Sequence, residues 1–377
     1  MRISVIFLSF LFCIATQAQS KRVYDFPLKK FESPNWPIID DDLDFQWMNL
    51  AIQRQLDRFE RRSMNHMFRI QGVSYPVTLL RDTLKAFDVL SRDYQQCVLS
   101  THRSICRSIL KSQLQQRFDL YYPDVADRDP QGSALFTAYY TPTLHVTTQP
   151  QPGYSYPIFS KPSDRAVAQA YTREEIDFDG RLSGMGLELF YADNLFDLYL
   201  LQVEGGGHVV IKDQQGKSQY LSYDGTNRKS FNFISRYMMS QGYIDSHSVA
   251  AQRRFLDENP DKQREVYAYC PSYVYFRKSD TPPVGSDSVP LTDNRSMAQD
   301  DELYGFKGLL GFVQAKRPTG DGQGAQPFSR FYIDQDTGGA IVGRARADLY
   351  FGEGEYAELA ATTLKNRGEI YFLLLKQ

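Results

Sequence analysis

The spacing of apolar residues changes character partway along this chain. From about Leu43 to Lys111, Phe45, Met48, Leu50, Ile52, Leu56 and Phe59 recur at roughly helical spacing with charges between them, and Leu79 to Leu99 repeats the pattern after Tyr75-Pro76. Helices are expected there, and a run such as Arg58-Phe59-Glu60-Arg61-Arg62 reads as a solvated helix face rather than a binding patch. From Phe136 the period shortens to two. Phe136 to Thr141 reads as a strand stopped by Pro142, and after a loop rich in Gln, Pro, Gly and Tyr another strand is expected at Tyr156 to Phe159. Residues 187–192 and 196–203 are two further strand candidates, followed by a flexible Glu204-Gly205-Gly206-Gly207 and a strand from His208 to Lys212. Short helices are expected at Asn232 to Gln241, closed by Gly242, and at Ser248 to Asn259. Residues 278–300, rich in Pro, Ser and Asp, form a connector, and a domain boundary is placed there. The chain then ends in a β-rich unit closing on Glu369 to Leu374. No internal repeat is apparent.

Within that last unit, residues 331–336 and 344–351 both alternate apolar and polar positions and are joined by Gly338-Gly339. The pattern predicts a strand, a glycine turn and a second strand, which would bring Asp336 and Asp348 close together on one wall. Neighbouring carboxyls in a partly apolar setting split their pKa values, so that one stays protonated as an acid. Strand-terminating or turn-capping roles account for the same spacing, and on spacing alone they weigh more than a catalytic pair.

Composition narrows the class. At 377 residues, 42 % hydrophobic and 23 % charged, the chain is globular and long enough for two domains, or for one domain carrying an insertion. A net charge of −2 without a long basic run removes the electrostatic case for nucleic-acid binding. Aromatic residues reach 14 %, a share that suits strand-rich folds and sugar grooves, although most of them must pack in cores. Arg2, the apolar run Ile3 to Ile14 and the small residues Thr16 and Ala18 read as a cleavable export signal over residues 1–18. Phe10-Leu11-Phe12 before Cys13 lacks the small residues of a lipoprotein signal, which argues against a lipid anchor. In an oxidising compartment Cys97 and Cys106 are placed to close a small loop, leaving Cys270 unpaired and buried. Scattered histidines and the lack of paired cysteine spacing give no metal site, and no cofactor is implied.

Several motifs occur together in a specific order. Tyr139-Tyr140-Thr141-Pro142, Arg173-Glu174-Glu175-Ile176, Gln202-Val203-Glu204-Gly205-Gly206-Gly207, Tyr223-Asp224-Gly225-Thr226-Asn227 and Pro271 to Phe276 precede a tail in which Asp300, Asp336 and Asp348 stand as three spaced aspartates. From Phe136 to the C-terminus this order resembles the MltA family of lytic transglycosylases, which cut bacterial peptidoglycan, with the tail similar to its 3D domain. The resemblance implies a mainly β fold with N-terminal helices. A double-psi β-barrel catalytic domain would be built from residues 19–142 and 281–377, and an inserted small β-domain, residues 143–280, would form the other wall of the groove.

The resemblance also implies the chemistry. A lytic transglycosylase activates no water: the 6-hydroxyl of N-acetylmuramic acid (MurNAc) attacks its own C1, giving a 1,6-anhydro end, so one carboxyl serves first as acid and then as base. That role falls to Asp348, whose apolar neighbours Ala347, Leu349 and Phe351 would help to keep it protonated. Asp336 is expected as an orienting or electrostatic partner, with Asp300, Thr141, Gln202 and Asp224 placed by motif around the groove. Glycan strands are the expected partner, in the periplasm, with cell-wall synthesis or remodelling proteins as further partners and a monomer as the expected state. Glu204 and Gly206 replace a glutamine and a serine of the pattern, Ala138 a glycine, Arg228 another glycine, and the turn after Asp300 is altered. These departures leave two alternatives open: a catalytically weak peptidoglycan-binding or scaffolding protein of the same fold, and a β-1,4-glycan hydrolase.

Overall fold

The computed structural model describes residues 21–125 and 132–377. The export signal expected over residues 1–18 lies outside the described residues. Six strands close into a ring in the order Leu310–Pro318, Ala325–Asp336, Ser296–Ala298, Arg346–Glu353, Ser133–Thr141 and Lys365–Leu375. The last strand returns to the first through pairs running from Leu310↔Leu373 to Gln314↔Glu369, which leaves the ring without a free edge. Two of its pairings are parallel, Ser296–Ala298 with Ala325–Asp336 and Ser133–Thr141 with Arg346–Glu353. The mainly β class and the double-psi barrel are as expected. Phe118–Pro123 and Leu28–Lys30 extend the sheet beyond the ring.

Alternation along these strands builds the core. Phe136, Ala138, Phe312, Phe331, Ile333, Ala347, Leu349, Phe351 and Phe372 all fall in one buried cluster. Helices Met48–Glu60, Thr78–Ser100 and Arg103–Arg117 cover it, with Phe87 of the second helix packed 4.6 Å, centroid to centroid, from Phe331. As the spacing suggested, a disulfide joins Cys97 to Cys106, and Cys270 is free and buried. Arg295 and Asp41, both fully buried, pair through contacts of 2.6 and 2.8 Å, and Arg295 Nε also donates to the Gln46 carbonyl. This pair fastens the segment before the first helix to the barrel.

A second sheet of six strands runs from Thr143–Thr147 to Val274–Ser279, with cores of its own. A bridge between Ser160 and Phe276 brings its two edges together, so this sheet is nearly closed as well. Among the described residues no helix is long and apolar enough to cross a membrane.

Three local expectations are corrected. Residues 196–203 are not a strand but the core of a helix, Leu195–Glu204. Leu195, Phe196, Leu198, Tyr199, Leu200, Leu201 and Gln202 are all buried, and a helix apolar all round shows no 3.6-residue stripe. Its ends carried the signal: Asn194 caps the N–H groups of Phe196 and Asp197, and Gly205 closes the helix in the left-handed region. The glycine run after it is not a flexible link, because Gly206 and Gly207 open the strand Gly206–Ile211. A Cβ at Gly207 would sit 2.3 Å from Leu201 Cδ1 and 2.8 Å from the Pro142 carbonyl, so close approach is what requires glycine there. The connector 278–300, finally, contains a barrel strand, Ser296–Ala298.

Candidate active site

That short strand decides the geometry of the aspartates. Ala325–Asp336 and Arg346–Glu353 are not partners in a hairpin, because Ser296–Ala298 lies between them, parallel to the first and antiparallel to the second. Asp336 and Asp348 both stand in register with Ala298, one on either side. Two strand spacings therefore separate their backbones, about 10 Å. The pair is brought onto one sheet face, but not into direct contact.

Asp348 is half-buried. On the adjacent parallel strand its register partner is Thr137, whose hydroxyl donates to Asp348 Oδ1 at 2.5 Å and accepts from Arg346 at 2.7 Å. Burial pushes the Asp348 carboxyl up to about 6, with Asp336 adding to the rise, against the opposing hydroxyl of Thr137 and guanidinium of Arg346. The expected apolar shield is absent. Ala347, Leu349 and Phe351 belong to the barrel core and, by strand alternation, point away from Asp348. The desolvation comes from the opposite face, where Thr137 and Tyr139 lie beside it.

Asp336 is built differently. Its Oδ1 accepts from the backbone N–H groups of Ser286 and Thr337, both at 2.8 Å, and its Oδ2 from the Tyr139 hydroxyl at 3.1 Å. Burial raises its pKa, and these three hydrogen bonds oppose the rise. Three hydrogen bonds thus fix the carboxyl of Asp336 in place, two on Oδ1 and one on Oδ2. Tyr139 in turn packs against Tyr350, ring centroids 5.2 Å apart.

The other expected residues are spread more widely. Asp300 accepts from the N–H groups of Glu302 and Gly343, at 3.0 and 2.7 Å, and so orders the loop linking the two aspartate strands. Thr141 is buried, its hydroxyl 2.6 Å from that of Tyr350. Gln202 is buried beside the Tyr273 hydroxyl, and neither forms a hydrogen bond of good geometry. Asp224 lies on a part-exposed strand, 3.6 Å from Arg277. Between the barrel and helices that follow the second sheet's strands, Leu195–Glu204 among them, is a cleft of about 490 Å³, whose lining includes Thr137, Tyr140, Glu204, Arg236, His247 and Lys365. Thr137 and Tyr139 were missed as site residues. Strand alternation on Ser133–Thr141 puts both on one face, but only the pairing with Arg346–Glu353 shows that this face meets Asp348.

The fold and site thus define a double-psi-barrel protein with a poised carboxyl beside a cleft. Residues 135–277 match the MltA specific insert domain, and residues 295–374 match the 3D domain. Membrane-bound lytic murein transglycosylase A of Vibrio cholerae serotype O1 is 32% identical over 265 residues, covering 69% of this chain and 70% of the relative. The protein of the same description from Escherichia coli K12 is 29% identical over 252 residues, covering 65% and 67%. Among solved structures, Escherichia coli MltA with bound chitohexaose aligns with a TM-score of 0.71 at 21% identity, covering 93% of this chain and 95% of that one. A membrane-bound lytic murein transglycosylase from Agrobacterium tumefaciens aligns at 0.69 and 25%, covering 93% and 98%. The chain belongs to the MltA family of lytic transglycosylases.

Proposed function

We propose that this chain cleaves the β-1,4 bond between MurNAc and N-acetylglucosamine (GlcNAc) in peptidoglycan and leaves 1,6-anhydroMurNAc ends. Asp348 carries the reading: a half-buried carboxyl with its pKa raised to about 6, hydrogen-bonded by Thr137 at the cleft. A protonated Asp348 donates to the glycosidic oxygen as the C1–O bond breaks and GlcNAc leaves. The resulting carboxylate then accepts the proton of the MurNAc 6-hydroxyl as that oxygen bonds to C1, and Asp348 returns to its starting state. Asp336, fixed by Tyr139, Ser286 and Thr337, supplies a negative field for the oxocarbenium-like transition state without entering a bond. A hydrolase of the two-carboxyl type needs a second carboxyl free to take a proton from water or to attack. The three hydrogen bonds that hold Asp336 in place speak against that alternative.

In this reading residues 19–142 and 281–377 form the catalytic domain, residues 143–280 form the facing wall, and the protein acts as a monomer on glycan strands in the periplasm after residues 1–18 are removed. Thr141, Gln202, Asp224 and Asp300 shape the groove rather than enter the chemistry. The test is incubation of the purified protein with sacculi, followed by mass spectrometry of the released fragments. Fragments ending in 1,6-anhydroMurNAc are expected. Reducing MurNAc ends, or intact sacculi that retain the protein, overturn the proposal.

A further inference from the structure

One titratable group in the cleft has no part in the chemistry above. Glu204 is the last residue of helix Leu195–Glu204 and lines the cleft together with Thr137, the hydrogen-bond partner of Asp348. Three features of its position work against a negative charge. It sits where the unpaired carbonyls of a helix C-terminus concentrate negative potential. Leu200, Val203 and Tyr140 line the same stretch of wall and remove water from it. Asp348 is the charged group acting on it most strongly, and Asp348 is itself acidic. One feature favours the anion: the pairing of Lys365–Leu375 with Ser133–Thr141 ends at Thr137, and the N–H of Tyr140 beyond that point is directed at the Glu204 carboxyl. The cations of the cleft, Arg236 and Lys365, line it too, as does His247, but none outweighs the burial.

We propose that Glu204 is a glycan-binding residue of this cleft that works as a neutral carboxylic acid, donating its O–H to the bound sugar, and that its ionisation disables the site. The inference rests on the cleavage reaction proposed above. Burial, with Asp348 as the second cause, pushes the Glu204 carboxyl up to about 8, so it keeps its proton at neutral pH where Asp348, at about 6, is already titrating. Loss of that proton removes the donor and places a second anion beside the acid that must hold its own proton.

The pH dependence of kcat/KM for release of 1,6-anhydro fragments from sacculi provides the test, with the parent protein and Glu204→Gln compared. The glutamine retains a donor of similar shape and cannot ionise. In the parent, the rate should fall about tenfold per pH unit above pH 6 and about a hundredfold per unit above pH 8, where two protons are required. Glu204→Gln should keep the single-proton slope, so that its rate relative to the parent's rises about tenfold between pH 6 and pH 9. Glu204→Ala, which lacks the donor, should raise KM at pH 6. Identical slopes for parent and Glu204→Gln, or a Glu204→Gln protein that folds by circular dichroism and is inactive at pH 6, overturn the proposal. If the parent itself releases no anhydro fragments at any pH, the cleavage reading fails first, and the two failures are thereby distinguished.

Discussion

Asp348 shows how an acid is prepared by location. Its own strand neighbours Ala347, Leu349 and Phe351 face the core, yet its carboxyl is raised by burial on the opposite face, where Thr137 and Tyr139 lie beside it. The elevation has a stability consequence with a definite sign. An unfolded aspartate titrates near 3.8 and the folded one near 6. Folding therefore favours the protonated form, and the advantage is full below pH 3.8 and lost as pH rises through about 6. The loss is on the order of 3 kcal/mol at most. Asp348→Asn removes that penalty and the proton together. It should reduce cleavage on the order of 10³-fold, leave the melting temperature unchanged at pH 4 and raise it at pH 8. Differential scanning fluorimetry at the two pH values checks the second half. A melting temperature lowered at pH 8 would mean that the carboxylate is stabilised in the fold and is not a poised acid.

Among the elements, the helices outside the ring owe much of their order to ties that close short stretches of chain. The Cys97–Cys106 disulfide joins helix Thr78–Ser100 to helix Arg103–Arg117 across a turn in which His102 caps the second helix. Closing so short a loop restricts the unfolded chain and is worth about 2.5 kcal/mol in the loop-entropy account. Replacing both cysteines by alanine should lower the urea midpoint accordingly while leaving cleavage intact, because neither helix lines the cleft. Activity lost in step with stability would show that these helices hold the barrel's shape. Leu195–Glu204 has the reverse relation to sequence. Burial nearly all round conceals its period, and it is the element that carries Glu204 to the cleft.

At the scale of the molecule, distant parts of the chain are locked by buried charge. Arg295, on the approach to the shortest barrel strand, reaches Asp41 near the start of the described chain, with neither side chain exposed. Burial pushes the Asp41 carboxyl up, but the Arg295 guanidinium and the N–H groups of Phe331 and Phe45 outweigh it and hold the pKa below the usual carboxylate range. Removing one partner of such a pair strands the other in the interior. Asp41→Ala should cost about 3–5 kcal/mol, read by urea denaturation at pH 7. An effect below about 1 kcal/mol would mean that water or a neighbouring carbonyl takes over Arg295. The site depends on this strand, since Ala298 is the residue against which both aspartates are registered.

Local pattern was enough to read the strands that alternate, Ser133–Thr141, Arg346–Glu353 and Lys365–Leu375, the amphipathic helices, and the disulfide. The ordered motifs were enough to show the family. Those features are set by neighbours a few residues apart, or by residue types in a row. What lay beyond reach was everything decided by which strands meet. Ser296–Ala298 has three residues, too few to show a period, and it separates two aspartates that a hairpin would have joined. Thr137 meets Asp348 from 211 positions away, and Glu204 comes to the cleft that Thr137 lines on a helix outside the barrel. Pairing between remote strands depends on the closure of the whole ring, and no local window of residues carries that condition.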